Sequence, residues 1–387
     1  MTTEILTGEA AASAGGEAEF SGFANPRNYR VSESARDRAC SLLTDAFSGK
    51  FGAGVRLAEA FTTSDFKLAA FAQLDVEMRA KYTELPSQWK SYTDTTLTND
   101  FRPKRLVRRG SAVRGMPLVP ELTEYPADDN RFSDAYAIQV AKHGKRKALS
   151  WEAFVNNEAI DELEDMPAAL AADAADTEAI AAASNLLLLD QKTLLATDVN
   201  TNFFKAGNGN APANLPLTRD NLKTVLDGMA VKKDPNTKRV IARPDVVVVI
   251  PKALEQTMIN IVAPRYVRSE VVNGSTTTIT EIDNPLAGLS YVVEPLLDYM
   301  NTHAKAATTW FVVPKPGGPR PALWLAKLRG HETPDLRVKA DTGQRVGGGA
   351  ISAVEGSFDI DDIQYRGRHI VGNQTADALF TYASYGS

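Results

Sequence analysis

The sequence has one cysteine, Cys40, in 387 residues. That excludes an intrachain disulfide and a cysteine-based zinc site, and it fits a reducing compartment. No run of about eighteen apolar residues occurs, so no segment has the length of a membrane-spanning helix. The first residues lack the basic and apolar stretches of a signal peptide. Histidine is scarce. His143, His303, His331 and His369 stand far apart in sequence, which favours ordinary surface or core roles over catalysis. No Gly-x-Ser-x-Gly elbow, Walker phosphate loop or His-Glu-x-x-His pair is present. Gly347-Gly-Gly349 lacks the Lys-Ser/Thr of a phosphate loop and reads as a flexible turn. Asp359, Asp361 and Asp362 lack the rest of a calcium loop and read as a turn between strands. Catalytic residues, bound cofactors and metal sites are therefore not expected. The net charge of −5 argues against a dedicated nucleic-acid binder.

With 43% hydrophobic residues, the chain is long and apolar enough to bury a large core in two or more domains. Asp165 to Asp198 is the organising stretch. Asp165 is placed to cap a helix, and Pro167 to sit in its first turn. Alanine, the best helix former, dominates residues 168–183. Leu170, Ala174, Thr177, Ala181, Leu188 and Leu195 share one helical face. The spacing predicts a long helix on which small alanines let a flat sheet pack closely, a structural spine.

Residues 1–30 are rich in Ala, Gly, Ser and Glu without a period, which suits a floppy tail or an arm that orders against a neighbour. Short helices are expected over Ser34–Phe47 and Ser64–Tyr82. Trp89 reads as a packing anchor. Residues 102–114 are basic, with Arg108 and Arg109 among them. Residues 121–134 are acidic, with Glu121, Glu124, Asp128 and Asp129. Lys142, Lys145, Arg146 and Lys147 reverse the sign again. Turn residues at Pro126–Asn130 and the alternation of Tyr136, Ile138 and Val140 predict a long hairpin from about Met116 to Leu149. An isolated ribbon is marginal in water, and its charge blocks cannot all pair within it. Such a hairpin would lie on another molecule; a solvated charged loop is the bland reading. The ten charged residues just named are the expected subunit-interface residues.

Phe203–Pro216 reads as a Gly/Asn-rich linker, and Thr218 caps a helix to about Ala230. Asp245–Ile250 is a buried strand, followed by Pro251 and a helix to about Ile261. Residues 264–284 form a polar excursion with an Asn273-Gly274 turn. Strands are expected at 289–293 and 309–313, then at 322–326, 336–339, 356–360 and 363–371. The class is α+β.

Taken in this order, the parts resemble the major capsid protein of tailed double-stranded DNA bacteriophages, a fold shared with encapsulins. The resemblance is carried by Thr63-Ser-Asp-Phe66, Tyr82, Pro86, Trp89 and Asp100-Phe101-Arg102. It continues in Leu149-Ser-Trp-Glu152 with Asn156-Asn157 and Leu163, in Val248-Val-Ile-Pro251, and in Asn284-Pro-Leu-Ala-Gly-Leu289 with Val292-Val-Glu-Pro295. It ends with Trp310-Phe-Val-Val313, Phe358–Ile363 and Tyr365-Arg-Gly-Arg368. It implies an N-terminal arm and first helix (1–60), a helix and linker (61–109), an extended β-hairpin loop (110–150), a peripheral domain with the spine helix (151–200 and 319–387), and an inserted axial domain (201–318). It also implies a structural protein without turnover chemistry. Its subunits would form pentamers and hexamers of an icosahedral head shell, assembled in the host bacterial cytoplasm and enclosing DNA without reading its sequence. Portal and decoration proteins are implied partners, with no membrane. The hairpin starts near residue 110, which leaves no room for a built-in scaffolding segment plus an arm, so a separate scaffolding protein or none is implied. Lys142, Lys145, Lys147 and Asn373 supply the residue types of the cross-link some relatives make. An encapsulin shell holding a cargo enzyme is the alternative.

Overall fold

The computed structural model describes residues 41, 75–110, 116, 118–125, 132–150, 159–190, 192–234, 238, 240–273, 276–339, 360 and 362–386. The expected arm, the helix at Ser34–Phe47, the glycine run at 347–349 and the strand at 356–360 fall outside these residues, apart from Ser41 and Ile360. In chain order the strands are β1 (Asp94–Thr98), β2 (Lys104–Gly110), β3 (Phe132–Ile138), β4 (Ala141–Ser150), β5 (Leu187–Leu189), β6 (Ala196–Val199), β7 (Val246–Ile250) and β8 (Tyr266–Asn273). They continue with β9 (Thr276–Asp283), β10 (Ser290–Val293), β11 (Trp310–Pro314), β12 (Leu323–Leu328), β13 (Asp335–Val338), β14 (Asp362–Thr375) and β15 (Tyr382–Ser384). The labelled helices are α1 (Ala159–Ala183), α2 (Arg219–Ala230), α3 (Glu255–Val262) and α4 (Pro295–Met300). The chain divides into two compact units. Unit 1 is Met1–Pro86, Ala141–Thr177 and Leu328–Val371; unit 2 is Ser87–Val140, Glu178–Lys327 and Gly372–Ser387. The mixture of helix and strand agrees with the α+β expectation.

In unit 1, β14 is flanked by two antiparallel partners. The β4 register runs from Ser150↔Asp362 to Ala141↔Val371, and the β13 register from Asp335↔Arg368 to Val338↔Tyr365. One face of this sheet is buried. Gly367 lies on it, and a Cβ there would sit 2.9 Å from Leu170 Cδ2 of α1. Met166, Pro167, Leu170, Ala171 and Ala174 are the buried positions among the described side chains of the helix here, following the i, i+3 and i+4 spacing of one face. The missing side chain of Gly367 makes room for Leu170, so at this point the close approach comes from the glycine of the sheet and not from an alanine of the helix.

The spine differs from its expected bounds. It starts at Ala159, so Pro167 lies inside the helix and not in its first turn. It stops at Ala183, and Leu187–Leu189 forms β5, paired with β6. Asn185 accounts for the break. Its Nδ2 donates to the Trp324 carbonyl (3.3 Å), and its own carbonyl accepts Asn200 Nδ2 (3.1 Å). Side-chain and backbone bonds of this kind compete with helix continuation. The buried line in unit 2 runs through Glu178, Ala182 and Ala183, whereas Ala181 is only half-buried.

Unit 2 is built on a four-stranded sheet in the order β10-β7-β11-β15. The β10–β7 pair is parallel, and β11 runs antiparallel to both β7 and β15. All residues of β7 and β11 are buried, the reason Val246–Ile250 reads as a continuous apolar run. Val248, Ile250, Trp310 and Val312 share a core with Leu222 and Leu226 of α2 and Met258 of α3. Thr218 caps α2, its hydroxyl accepting Asn221 N–H at 3.3 Å. The segment read as a linker is tied down by its asparagines. Asn208 Nδ2 donates to the Phe203 carbonyl (2.7 Å), and Asn210 Nδ2 to Thr381 Oγ1 (2.8 Å). The polar excursion is a long hairpin, β8 against β9, with Asn273 opposite Thr276.

Trp89 is buried, as its packing role requires. Beside it, Tyr92 OH donates to Glu294 Oε2 at 3.1 Å, and Glu294 Oε1 accepts Leu296 N–H at the start of α4 (3.4 Å). Burial raises the Glu294 carboxyl above its ordinary 4.5, against the lowering effects of these two bonds. The folded state therefore holds this proton more tightly than the unfolded one. Its contribution to stability is present below about pH 4.5 and is lost as pH rises through the folded value. Glu294→Gln keeps groups able to bond Tyr92 and Leu296 but carries no charge. Its melting temperature should match the parent near pH 4 and exceed it by a margin that grows as pH rises through the folded value and then levels off. A constant offset across a thermal-melt pH series would contradict this.

Candidate subunit interface

The hairpin is β2 and β3, both in unit 2, with Arg108 opposite Asp134 and Arg109 opposite Ser133. The arms therefore begin at Lys104 and end at Ile138. Lys142, Lys145, Arg146 and Lys147 are not on this hairpin. They lie on β4 in unit 1, opposite Ile370, Gly367, Arg366 and Tyr365 of β14. Lys145 Nζ bonds Asp173 Oδ1 of α1 at 2.9 Å, and Arg146 Nη1 donates to Gln364 Oε1 at 3.2 Å. The ladder sets the Arg108 position opposite that of Asp134, one place where the two charge blocks of the ribbon meet; the expectation was that they cannot all do so. Glu121 and Glu124 are exposed in the connection between β2 and β3. Asp128 and Asp129 lie outside the described residues.

That connection holds a feature the charge pattern conceals. Met116, Leu118, Leu122 and Tyr125 are 100, 94, 102 and 83% exposed. Single exposed apolar residues are ordinary, but four on one short segment set this one apart. Pro120–Thr123 is a β-turn. Thr123 N–H donates to the Pro120 carbonyl at 3.3 Å, and Thr123 Oγ1 donates to the same oxygen at 2.5 Å. Leu122 occupies the third turn position with φ 61°, a left-handed conformation that normally calls for glycine or asparagine. A leucine there costs about 1–3 kcal/mol of local strain. The prolines at 117, 120 and 126 punctuate this segment in the sequence. Together with its leucines they were the available signal for a shaped apolar tip.

A cavity of about 400 Å³ is lined by Lys90, Ser290, Tyr291 and Lys315, with no carboxylate, histidine or cysteine in its wall. Among the described residues, no group of three or more His, Cys, Asp or Glu side chains is placed to hold a metal, and no helix is long and apolar enough to cross a membrane. Of Asp359, Asp361 and Asp362, only Asp362 is described, opposite Ser150 in the β14–β4 ladder. The fold does bring two distant histidines together. His143 and His369 face each other across β4 and β14, and burial followed by the His369 charge lowers the His143 pKa.

Comparison with known proteins gives a family. Residues 135–383, well over half of the chain, match the model of a phage capsid protein family. No curated protein matches. Solved structures that resemble the chain include one from Gordonia phage Cozz, at 11% identity and a TM-score of 0.44, covering 76% of this chain and 84% of that one. Another is from Mycobacterium phage Patience, at 13% identity and a TM-score of 0.43, covering 84% and 90%. A third, the capsid of an empty GTA particle, has 9% identity and a TM-score of 0.44, covering 77% and 89%. The matched residues cover all of α1–α4 and every strand from β4 to β14. The chain belongs to the phage capsid protein family and is a structural subunit of a phage head shell.

Proposed function

We propose that the β2–β3 hairpin is the clasp by which each subunit grips its neighbour in the shell, with the segment 116–125 as the gripping tip. The observation that carries this reading is the near-complete exposure of Leu118, Leu122 and Tyr125 on a turn held in a strained shape. Apolar side chains presented this way gain about 1.5–3 kcal/mol each when a partner buries them. A shell repeats the contact at every joint, so modest energies multiply. Glu121 and Glu124 flank the apolar residues. Arg108, Arg109, Asp128 and Asp129 belong to the same hairpin region and complete its side of the interface. In this reading residues 201–318 gather at the centres of pentamers and hexamers, the N-terminal arm ties across subunit seams, and the closed shell holds double-stranded DNA without base contacts. Portal, scaffolding and decoration proteins would attach to the assembled shell.

The test is Leu118→Ser combined with Leu122→Gly. Glycine relieves the left-handed strain, so the subunit should melt no lower than the parent. The concentration at which shells form should rise by more than about tenfold, equivalent to about 1.4 kcal/mol per joint. Sedimentation of purified subunits over a concentration series reads this. Unchanged assembly would refute the clasp.

A further inference from the structure

The registers of unit 1 place three arginines in one row. Arg146 of β4 stands opposite Arg366 of β14, and Arg366 stands opposite Arg337 of β13. Directly opposite residues in antiparallel strands point to the same face. At about 4.8 Å between strands, the row spans about 10 Å. It lies on the face away from α1, because Gly367, the next residue along β14, meets Leu170 on the other side. All three arginines are exposed, and so is Lys142 on the same face of β4. Like charges directly opposite one another destabilise a sheet. Arg337 and Arg368 share Asp335, at 3.0 and 2.6 Å. Arg146 reaches only the neutral Gln364 side chain. Among the described residues no carboxylate pairs with Arg146 or Arg366.

We infer that this arginine row is an anion-binding face, and that its occupant is the acidic hairpin tip, Glu121 and Glu124, of a second copy of this chain. The inference rests on the clasp reading and names the surface the clasp grips. Guanidinium forks match carboxylates bidentately. Glu121 and Glu124 flank the apolar tip, are exposed, and have no ion partner among the described residues of their own subunit. The row gains its missing counter-charge and the tip gains its missing cations in one contact. Phosphate groups of nucleic acid are the competing occupant, and the acidic net charge of the chain makes them the weaker match.

The face is tested with Arg146→Glu combined with Arg366→Glu. This variant replaces one like-charge pair by another and sets a carboxylate opposite Arg337, so its melting temperature should stay at the parent value. The threshold concentration for assembly should rise about tenfold or more. Glu121→Arg with Glu124→Arg should do the same. Combining the two sets should restore assembly to within about threefold of the parent. Failure of the combination to restore it overturns the inference. So does normal assembly of the face variant. If that variant assembles normally into particles that retain less nucleic acid, the occupant is phosphate and the inference is wrong. Loss of assembly on Leu118→Ser with Leu122→Gly, alongside a normal face variant, would leave the clasp standing and reject only this receiving surface.

Discussion

Replacing Arg320 by methionine should destabilise unit 2 by about 3–5 kcal/mol, with loss of soluble shell-forming protein at growth temperature. Arg320 is 7% exposed and holds two buried carboxylates. Its Nη2 bonds Asp234 Oδ2, and its Nη1 bonds Asp377 Oδ2 at 2.9 Å. Asp377 Oδ1 accepts Leu379 N–H at 2.9 Å. Lys232, which donates to the Leu379 carbonyl at 2.6 Å, adds a second cation nearby. The arginine thus fixes the turn that delivers Phe380 to the core and β15 to the edge of β11. Methionine fills much of the volume but leaves two buried anions facing each other. Breaking a buried pair from one side costs far more than removing it whole. Without the guanidinium, keeping both buried carboxyls ionised is costly. Their penalty would be small below the unfolded range near pH 4 and full at neutral pH. The gap in denaturant midpoint between parent and variant should therefore narrow as pH falls. Adding Asp234→Asn and Asp377→Asn should recover most of the loss at pH 7. A loss below about 1 kcal/mol would mean that water reaches the triad and that its charges are screened.

The sequence carries some of this architecture openly and hides the rest. Val246–Ile250 and Trp310–Val313 are legible because both faces of each strand are buried, which leaves an uninterrupted apolar run. Thr218 is legible because a cap is a local device. The four leucines at 186–189 are not. An apolar run of that length fits helix or strand equally, and the outcome depends on Asn185 bonding Trp324 and Asn200. Lys142–Lys147 fall where the sequence places the second arm of a hairpin. Their partner is β14, more than two hundred residues on, and no local pattern encodes that register. The same holds for the arginine row, where three ordinary surface residues meet only through two long-range ladders. The family resemblance pointed to a shell protein through the order of weak motifs. The charged blocks mark the hairpin region in the sequence, whereas its exposed apolar tip does not stand out there, because apolar residues are ordinarily buried.

Gly372→Ala should be the most damaging single-methyl change in the described chain. Gly372 lies in β14, one residue past the last β4 pair, Val371↔Ala141. A Cβ built there would sit 2.0 Å from the Gln139 carbonyl oxygen, 2.8 Å from its carbon and 2.9 Å from Val140 Cα. All three obstacles are backbone atoms, so no side chain can rotate aside. Gln139 is held in turn by its Nε2 bond to the Phe101 carbonyl at 2.9 Å, and Ile138 and Val140 on either side are buried. The added methyl must push apart the two segments at the root of the hairpin. Overpacking typically costs about 1–3 kcal/mol when side chains can adjust. Here the cost should reach the top of that range or pass it. Gly228→Ala is the matched control. Gly228 lies inside α2, and a methyl added there would meet nothing within 4 Å, so alanine should add about 0.5–1 kcal/mol. The two variants differ from the parent by the same single methyl. Denaturant midpoints should therefore move in opposite directions, down for Gly372→Ala and up for Gly228→Ala. Because Gln139–Val140 follows β3 directly, Gly372→Ala should also misaim the clasp, so that whatever protein stays folded assembles poorly. If Gly372→Ala kept the parent's midpoint, the backbone of residues 139–140 would have to yield freely, and the hairpin would have no rigid root.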